Sequence, residues 1–583
     1  MHVLGINFSN DSAAALVSEE GVLAAVTEER FARVKHYAGW PTSSIRFCLE
    51  HAGLTLAGLD AVAFFWNPAV YLDSPLRRHQ AWRHQSEFLA TVPGQILPAL
   101  SGLGDVTHVE QRFQFSGREK PLRVFFVTHH LAHAASCFYV SPFQEAAILT
   151  IDGYGERTTT LFLRGRGVDL EELGRVESPH SLGSVYAAVT QYLGFRPNSG
   201  EGKVMGLASY GEPRYLDTFR KMIRLLPRGR YELDLSYFSY YLERPRRYST
   251  KFLEALGPER VPESTLDQRH MDVAASLQAA LEEALDHFFS YLHQETGLRQ
   301  LCLAGGVALN CVANGRCFFR SPFRDLYIQP AAGDNGAALG AALYVLHRLE
   351  RFPRQFVMRH DRLGPSSSDE EIARELRLSG VPAERPRDVA RAGAQLLAQG
   401  FILGWYQGRA EFGPRALGAR SILADPRRRD MKDTLNARVK FREYFRPFAP
   451  SVLAERVGDF FTPAYPSPFM LLCHDVRPDR IESVPAITHV DGTARIHTVE
   501  RDLDPLYYGL IEEFGRLTGI PMVLDTSFNI RGEPIVNSVK QALQCFLTTD
   551  MDFLLLGGFL LWKQKPACLK ALQELRETVG FAG

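Results

Sequence analysis

The chain opens on short apolar bursts separated by turn formers. Val3 to Phe8, Ser12 to Val17 and Gly21 to Thr27 read as three strands, divided at Asn10-Asp11 and at Glu19-Glu20-Gly21. A further apolar run, Ala146 to Ile151, ends in the polar, glycine-bearing Asp152-Gly153-Tyr154-Gly155-Glu156, and β character resumes from Arg157 to Leu163. The plan then repeats. Leu301 to Leu303 runs into Gly305-Gly306, and Gly333-Asp334-Asn335-Gly336 leads into a small-residue helix from Ala337 to Tyr344. Paired strand, glycine-loop and helix units predict an α/β chain of actin-like, ribonuclease H-related architecture, in which two α/β halves clamp a nucleotide.

Two stretches interrupt that plan, Tyr71 to Lys120 and Arg228 to Arg260. The second gathers Tyr231, Tyr237, Phe238, Tyr240, Tyr241 and Tyr248; such rings are expected to pack over a core edge, the other reading being the wall of an acceptor cleft. Phe352 to Ser368 reads as a linker from its prolines and serines. Beyond it Val389 to Leu403 turns from helix to strand and arginine-rich loops begin, so the expected domains are 1–355 and 356–583.

Composition narrows the function. A chain of 583 residues with 45% hydrophobic content fills at least two cores. Its 66 basic and 66 acidic side chains cancel, so no long-range field gathers nucleic acid or a membrane surface, and any basic site must be local. The eight cysteines are scattered with no CxxC pair, which suits a reducing cytoplasm and indicates neither a disulfide framework nor a thiolate zinc site. No signal peptide and no membrane-spanning apolar run is expected.

Three constellations carry candidate chemistry. In His129-His130-Leu131-Ala132-His133 a helix places His129 and His133 on one face, as two ligands of one ion require, and Asp152 and Asp334 offer oxygen ligands from loops that an actin-like fold brings to one cleft. Two histidines with two aspartates suit Fe2+, Mn2+ or Zn2+. Glycine-rich loops at Ser199 to Ala208, around Lys203, at Ala304 to Asn310 and at Gly333 to Gly336 allow close backbone approach to phosphate. Finally, Glu411 to Ser421, Lys440 to Pro447 and Asp525 to Pro534 mix Arg415, Arg420, Ser421, Lys440, Arg446, Ser527, Asn529 and Arg531 with Gly, Pro and Phe, a composition that fits a small-anion pocket better than a solvated face.

Together HHLAHAAS, LTIDGYGE, SGEGKVMGLASYG, LAGGVALN, GDNGAALGAA, EFGPRALGARSIL and DTSFNIRGEPIV resemble, in order and over nearly the whole chain, the antibiotic and nodulation-factor O-carbamoyltransferase family. The resemblance implies an N-terminal domain similar to the metal-dependent tRNA threonylcarbamoyl transferase and a YrdC-like α/β C-terminal domain. It implies that His129, His133, Asp152 and Asp334 bind a divalent metal, usually iron, that Gly305, Gly306 and Asn310 hold adenosine, and that Lys203 lies near phosphate. The C-terminal set would bind carbamoyl phosphate and ATP, the latter with Mg2+. Carbamoyl adenylate formed there would pass its carbamoyl group to a hydroxyl of a small-molecule natural product, as in antibiotic biosynthesis. A second copy of the chain is an open partner.

One departure stands out. In the family that this chain resembles, many members carry a His-Asp pair near the first turn, where it has Asn10-Asp11; asparagine is no base, which leaves Asp11, Glu29 or a group near the metal for that task, or an activated adenylate that needs little base assistance. Threonylcarbamoyl transfer to tRNA and a nucleotide-sensing actin-like protein are the alternatives. Zero net charge weighs against the first, the histidine pair against the second.

Overall fold

The computed structural model describes residues 1–67, 107–242 and 245–582, so most of the interruption expected over Tyr71 to Lys120 lies outside the described residues. Two compact units emerge: Met1–Glu28 with His36–Met358, and Glu29–Lys35 with Arg359–Gly583. A short piece of the N-terminal chain therefore folds with the C-terminal unit.

Two large sheets organise the first unit, beside a small two-stranded one of Ile223–Leu225 and Tyr231–Leu233. In one, β1 (His2–Asn7), β2 (Ala13–Ser18) and β3 (Gly21–Thr27) form an antiparallel meander; β4 (Ala61–Phe64) joins β1 in parallel, β6 (Leu122–Val127) joins β4 in parallel, and β5 (His108–Phe113) closes the edge. In the other, β7 (Glu145–Ile151), β8 (Thr158–Arg166) and β9 (Asp169–Glu177) repeat the meander, and β10 (Gln300–Ala304) and β11 (Asp325–Ile328) add in parallel beyond β7. The same strand order and directions occur twice, which is the duplicated α/β plan of an actin-like fold. Every residue of β2 is buried, as expected for a strand covered on both faces.

Five helices matter for the site: α1 (His129–Phe138), α2 (Glu201–Ala208), α3 (Gln268–Thr296), α4 (Cys311–Arg320) and α5 (Asp334–Leu343). Helices α1 and α5 approach through small residues. A Cβ built on Gly340 would lie 1.8 Å from the carbonyl oxygen of Ala132, so only glycine permits this contact. That packing brings the first residue of α5 toward the histidine face of α1.

The aromatic stretch does pack. Tyr231, Tyr237, Phe238 and Tyr248 are buried, and the Tyr240 hydroxyl donates to the Pro179 carbonyl at 2.6 Å; only Tyr241 and its neighbours reach solvent. Phe352 to Ser368, read as a linker, contains the division between the two units at Met358 and Arg359, and it is packed rather than loose. Arg354 donates to the carbonyls of Phe143 at 2.7 Å and Ser141 at 2.8 Å with its guanidinium 4.3 Å from the Phe138 ring, and Met358, Asp361 and Leu363 are buried. Its prolines fix an extended path but do not loosen it, because arginine and aliphatic anchors hold both ends.

The second unit is built on a nine-stranded sheet ordered His497–Val499, Ala449–Leu453, Met522–Ser527, Arg420–Ala424, Leu403–Tyr406, Phe553–Leu556, Phe559–Trp562, Ala383–Pro386 and Phe581–Ala582. Helices such as Val389–Ala398 and Pro505–Thr518 bury Leu396, Leu397, Leu510 and Phe514 in its core. The inserted piece is tied in by two arginines: Arg30 donates to the Gly413 carbonyl, and Arg33 to the carbonyls of Pro534 and Ile535, each at 2.8 Å. All eight cysteines are unbridged, and among the described residues no helix is long and apolar enough to cross a membrane.

Candidate metal centre and anion site

At the metal candidate, His129 and His133 lie one turn apart on α1, both fully buried, and their Nε2 atoms stand 3.0 Å from each other. Asp152, immediately after β7, puts Oδ2 3.0 Å from His129 Nε2 and 2.9 Å from His133 Nε2, and Asp334 Oδ1 lies 3.7 and 3.8 Å from the same atoms. Two ring nitrogens that face each other cannot both donate, and neither satisfies the other without a cation or proton between them. The four donor atoms lie within 4.8 Å of one another. Ligands about 2.1 Å from a tetrahedral ion would stand roughly 3.4 Å apart, so the set fits a first-row divalent ion with no thiolate. Burial lowers the basicity of His133, but hydrogen bonds to Asp152 and Asp334 outweigh it and push its pKa up to about 9.

A residue that the sequence reading passed over anchors this centre. Glu156 is buried and accepts from the backbone N–H of His129 at 3.0 Å and of Asn67 at 2.6 Å, filling donors that the first turn of α1 leaves open. The DGYGE motif contained it, but nothing in its spacing distinguished a cap from a ligand.

The glycine loops divide in role. Gly305 has φ +92, and a Cβ there would meet the Ile151 carbonyl oxygen at 2.2 Å; Gly306 lies against Asp152, whose Oδ1 would be 2.9 Å from an added Cβ. This loop therefore passes directly beside a ligand carboxylate. Asn310 is spent locally: its Oδ1 caps α4 at Ala313 N, 3.0 Å, and its Nδ2 donates to Gln278 at 2.9 Å. Lys203 sits on α2 with its ammonium 5.3 Å from the Phe195 ring.

The first turn runs up to the metal candidate. Ser9 Oγ lies 3.5 Å from Asp334 Oδ2, and Asn7 Nδ2 donates to the carbonyls of Asn10 at 3.0 Å and Asp11 at 3.1 Å. Asp11 Oδ1 meets His36 Nδ1 at 2.8 Å. Glu29 opens the short helix Glu29–Ala32, which belongs to the second unit.

In the second unit Lys440 meets Ser527 and Asn529, and further cations gather near Lys440 and Glu443. The buried Lys440 ends a π-helical turn, Asn436–Lys440, and its Nζ donates to the Ser527 carbonyl, to Asn529 Oδ1 at 3.0 Å and to the Asn529 carbonyl at 3.1 Å. Burial, reinforced by Arg442 and Arg446, holds its pKa well below the usual lysine range. Arg442 is likewise depressed by burial and by Arg446 and Arg495, and Arg446 by burial, Arg495 and Arg531 against the pull of Glu443. Arg495 keeps Nε buried with no hydrogen-bond partner. So many cations around one carboxylate form a natural place for an anion. Arg442 and Arg495 were not among the expected candidates: the first stood in the quoted motif, the second in TAR with no signal of its own.

Arg420 and Ser421 do something else. Arg420 is 0% exposed, donates to the carbonyls of Gln407 at 2.7 Å, Ala419 at 3.0 Å and Gly408 at 3.0 Å, and lies 3.6 Å from the Tyr406 ring centre. Expected as an anion ligand, it is a tie inside the protein, because backbone carbonyls occupy its fork. Glu411 fixes the same loop by accepting from the N–H groups of Leu417, Ala419 and Arg420 at 2.9, 2.9 and 3.0 Å. Arg415 sits half-buried in that loop, and Arg531 is half-exposed, 3.6 Å from Glu443.

Ser421 accepts from Gly418 N at 3.1 Å and faces Asp525, two residues before Ser527. Asp525 Oδ2 accepts from Ser451 Oγ at 2.8 Å and Tyr507 OH at 2.9 Å, and Ser451 Oγ also meets His497 Nδ1 at 2.9 Å. Burial pushes Asp525 up to about 7, against those hydrogen bonds, and burial with Arg362 pushes His497 down to about 3. The two have opposite signs. Asp525 binds more protons folded than unfolded, so its contribution is lost as pH rises from about 4 to about 7; that of His497 is lost as pH falls from about 6.5 to about 3. Between about pH 4 and 6.5 the slopes oppose. In Asp525→Asn the His497 slope is left uncompensated, so stability from urea unfolding should fall more steeply toward acid than in the parent, by roughly 1 kcal/mol per pH unit. Parallel curves would show that Asp525 ionises normally.

A family model described as the carbamoyltransferase N-terminus matches residues 2–343, and one described as the carbamoyltransferase C-terminus matches residues 394–563. The first span contains the metal candidate and the second the cation cluster. The chain is 43% identical to an uncharacterized protein of Synechocystis sp., over 96% of this chain and 97% of that one. It is 41% identical to nodulation protein NolNO of Sinorhizobium fredii, over 96% of this chain and 79% of that protein, and 42% identical to nodulation protein NolO of Bradyrhizobium diazoefficiens, over 76% and 80%.

Proposed function

The chain belongs to the carbamoyltransferase family, and from that premise we propose that it forms carbamoyl adenylate from carbamoyl phosphate and ATP in its second unit. In the first unit, on this reading, the carbamoyl group passes to a hydroxyl of a small-molecule natural product. The observation that carries the reading is the presence in one chain of two different sites, each suited to one half of the chemistry. One is a cation cluster around Lys440, Ser527 and Asn529, the other an N2O2 donor set at His129, His133, Asp152 and Asp334.

In the second unit Arg446, with Arg442 and Arg495 beside it, holds phosphate oxygens, Lys440 adds charge while tying Ser527 and Asn529 in place, those two give neutral hydrogen bonds, and ATP arrives with Mg2+. Water releases phosphate from carbamoyl phosphate, and the carbamate oxygen attacks the α-phosphorus of ATP as pyrophosphate leaves. Burial keeps these cations poorly hydrated, which strengthens their hold on the anion. In the first unit His129, His133, Asp152 and Asp334 would hold a divalent ion, Fe2+ on the family resemblance, with Mn2+ and Zn2+ fitting the same donors. When bound, such an ion supplies Lewis-acid polarisation of the carbamoyl oxygen. Glu156 keeps α1, and so His129, in place, while the Gly305-Gly306 loop leaves room for a ligand beside Asp152.

The test is direct. The purified chain with carbamoyl phosphate, ATP and Mg2+ is expected to exchange labelled pyrophosphate into ATP and to form carbamoyl adenylate, with both signals absent when carbamoyl phosphate is omitted. No exchange in the presence of Fe2+, Mn2+ or Zn2+ would overturn the activation step.

A further inference from the structure

We propose that Tyr154 is a specificity-determining residue of the transfer site, the ring on which a pyranose acceptor stacks while one of its hydroxyls turns toward the four-donor centre; the role rests on reading the first unit as the carbamoyl-transfer unit. Tyr154 stands between Asp152, a donor of that centre, and Glu156, the carboxylate that anchors α1. Two residues of chain keep its Cα within about 7 Å of that of Asp152.

A row of rings leads from the centre to Tyr154. The Trp66 ring lies 5.4 Å from that of His129, edge to face at 73°, and the Tyr154 ring lies 5.8 Å from that of Trp66. Trp66 is 8% exposed and Tyr154 is 39% exposed, so the row begins at a buried donor and ends at solvent. Glu156 holds the row in register: it accepts from the N–H of Asn67, the residue after Trp66, at 2.6 Å and from the N–H of His129 at 3.0 Å. The loop that carries Tyr154 is fixed on both sides. The Gly153 carbonyl accepts from Ser181 Oγ at 2.7 Å and Ser184 Oγ at 2.8 Å, and a Cβ on Gly155 would lie 2.6 Å from the Thr158 carbonyl oxygen and 3.3 Å from His129 Cδ2. Glycine thus lets the loop press against the histidine helix. Rings that pack for stability in this unit are covered, as Tyr231 is at 1% exposed; the loop of Tyr154 is equally well fixed, yet it presents its ring.

The chemistry of that ring selects its ligand. An aromatic face is electronegative and held at low entropic cost, so it favours a face of C–H bonds, whose hydrogens are slightly positive. A pyranose has such a face and carries its equatorial hydroxyls at the rim. Laid on Tyr154, it projects a hydroxyl sideways, toward Asp152 and the other donors. An open-chain polyol has hydroxyls but no apolar face. Ser9 Oγ, 3.5 Å from Asp334 Oδ2, offers a hydrogen-bond partner to a neighbouring hydroxyl.

Tyr154→Ala and Tyr154→Phe in the full chain test this with two acceptors, methyl β-glucopyranoside and glycerol. With Fe2+ loaded, Tyr154→Ala is expected to raise KM for the glucoside about tenfold with kcat little changed, and to alter kcat/KM for glycerol less than twofold. Tyr154→Phe, which keeps the ring, should match the parent. With Zn2+ loaded, saturation of the protein's aromatic protons should pass by NMR to the axial protons of one face of the glucoside in the parent and in Tyr154→Phe, and not in Tyr154→Ala. Metal content should be the same in all three. An unchanged KM for the glucoside in Tyr154→Ala, an equal loss with glycerol, a Tyr154→Phe variant as poor as Tyr154→Ala, or a parent that carbamoylates glycerol and not the glucoside would each overturn the assignment. Failure of the underlying reading is separable: the unmodified chain would then show no carbamoyl phosphate-dependent pyrophosphate exchange.

Discussion

Changing His133 to alanine is expected to strip the divalent ion from the first unit and to lower carbamoyl transfer by about three orders of magnitude. His133 Nε2 lies 2.9 Å from Asp152 and 3.0 Å from His129, at the centre of the four donors. Without it His129 alone faces two carboxylates, Asp152 and Asp334, in a buried setting. A three-donor set with one imidazole holds a first-row ion far more weakly, and the apo site must take up protons to offset its carboxylates. Metal content by mass spectrometry of the purified variant and single-turnover transfer read the two effects separately. Pyrophosphate exchange, which the proposed function assigns to the Lys440 cluster and not to this site, would report whether the second unit is folded. Transfer at the parent rate from a variant that has lost its metal would remove the ion from the mechanism.

Much of this was legible in the chain because local rules and tertiary structure agree there. The three opening strands announced themselves by turn formers, and the HxxxH pair by helical periodicity. Asp152 and Asp334 were picked out because they sit where a strand ends and a helix begins, and the fold brings them beside the two histidines. What escaped depends on partners distant in sequence. Arg30 and Arg33 lie in an unremarkable stretch, yet their forks take carbonyls of Gly413, Pro534 and Ile535 and move Glu29–Lys35 into the second unit. Backbone carbonyls have no signature in sequence. For the same reason Arg420 read as an anion ligand: composition shows a guanidinium among glycines but not that four carbonyls already occupy it. Asn310 carries a similar ambiguity, since an asparagine before a helix can cap it as readily as hold a ligand, and in the fold it caps one.

Replacing Lys440 with methionine is expected to lower carbamoyl phosphate-dependent pyrophosphate exchange by about three orders of magnitude and to remove most of the stabilisation that phosphate gives the second unit. The two consequences have one origin. Lys440 is held by the carbonyls of Ser527 and Asn529, so it both presents a cation and fixes the two residues that give neutral hydrogen bonds. Its loss leaves those acceptors unsatisfied, at a cost of about 1–3 kcal/mol each. It also relieves the burial of a charge, and the repulsion from Arg442 and Arg446, that together hold the lysine well below its ordinary pKa. These terms oppose, so the variant without ligand should unfold within a few degrees of the parent. Phosphate separates the cases. An anion neutralises the crowded cations of the parent and is expected to raise its melting temperature, with saturation at about a thousand times Kd giving about 4 kcal/mol. In Lys440→Met the same addition should raise it by less than half as much. Equal phosphate shifts in the two proteins would place the anion elsewhere in the second unit, and Lys440 would then be a buried tie of the same kind as Arg420.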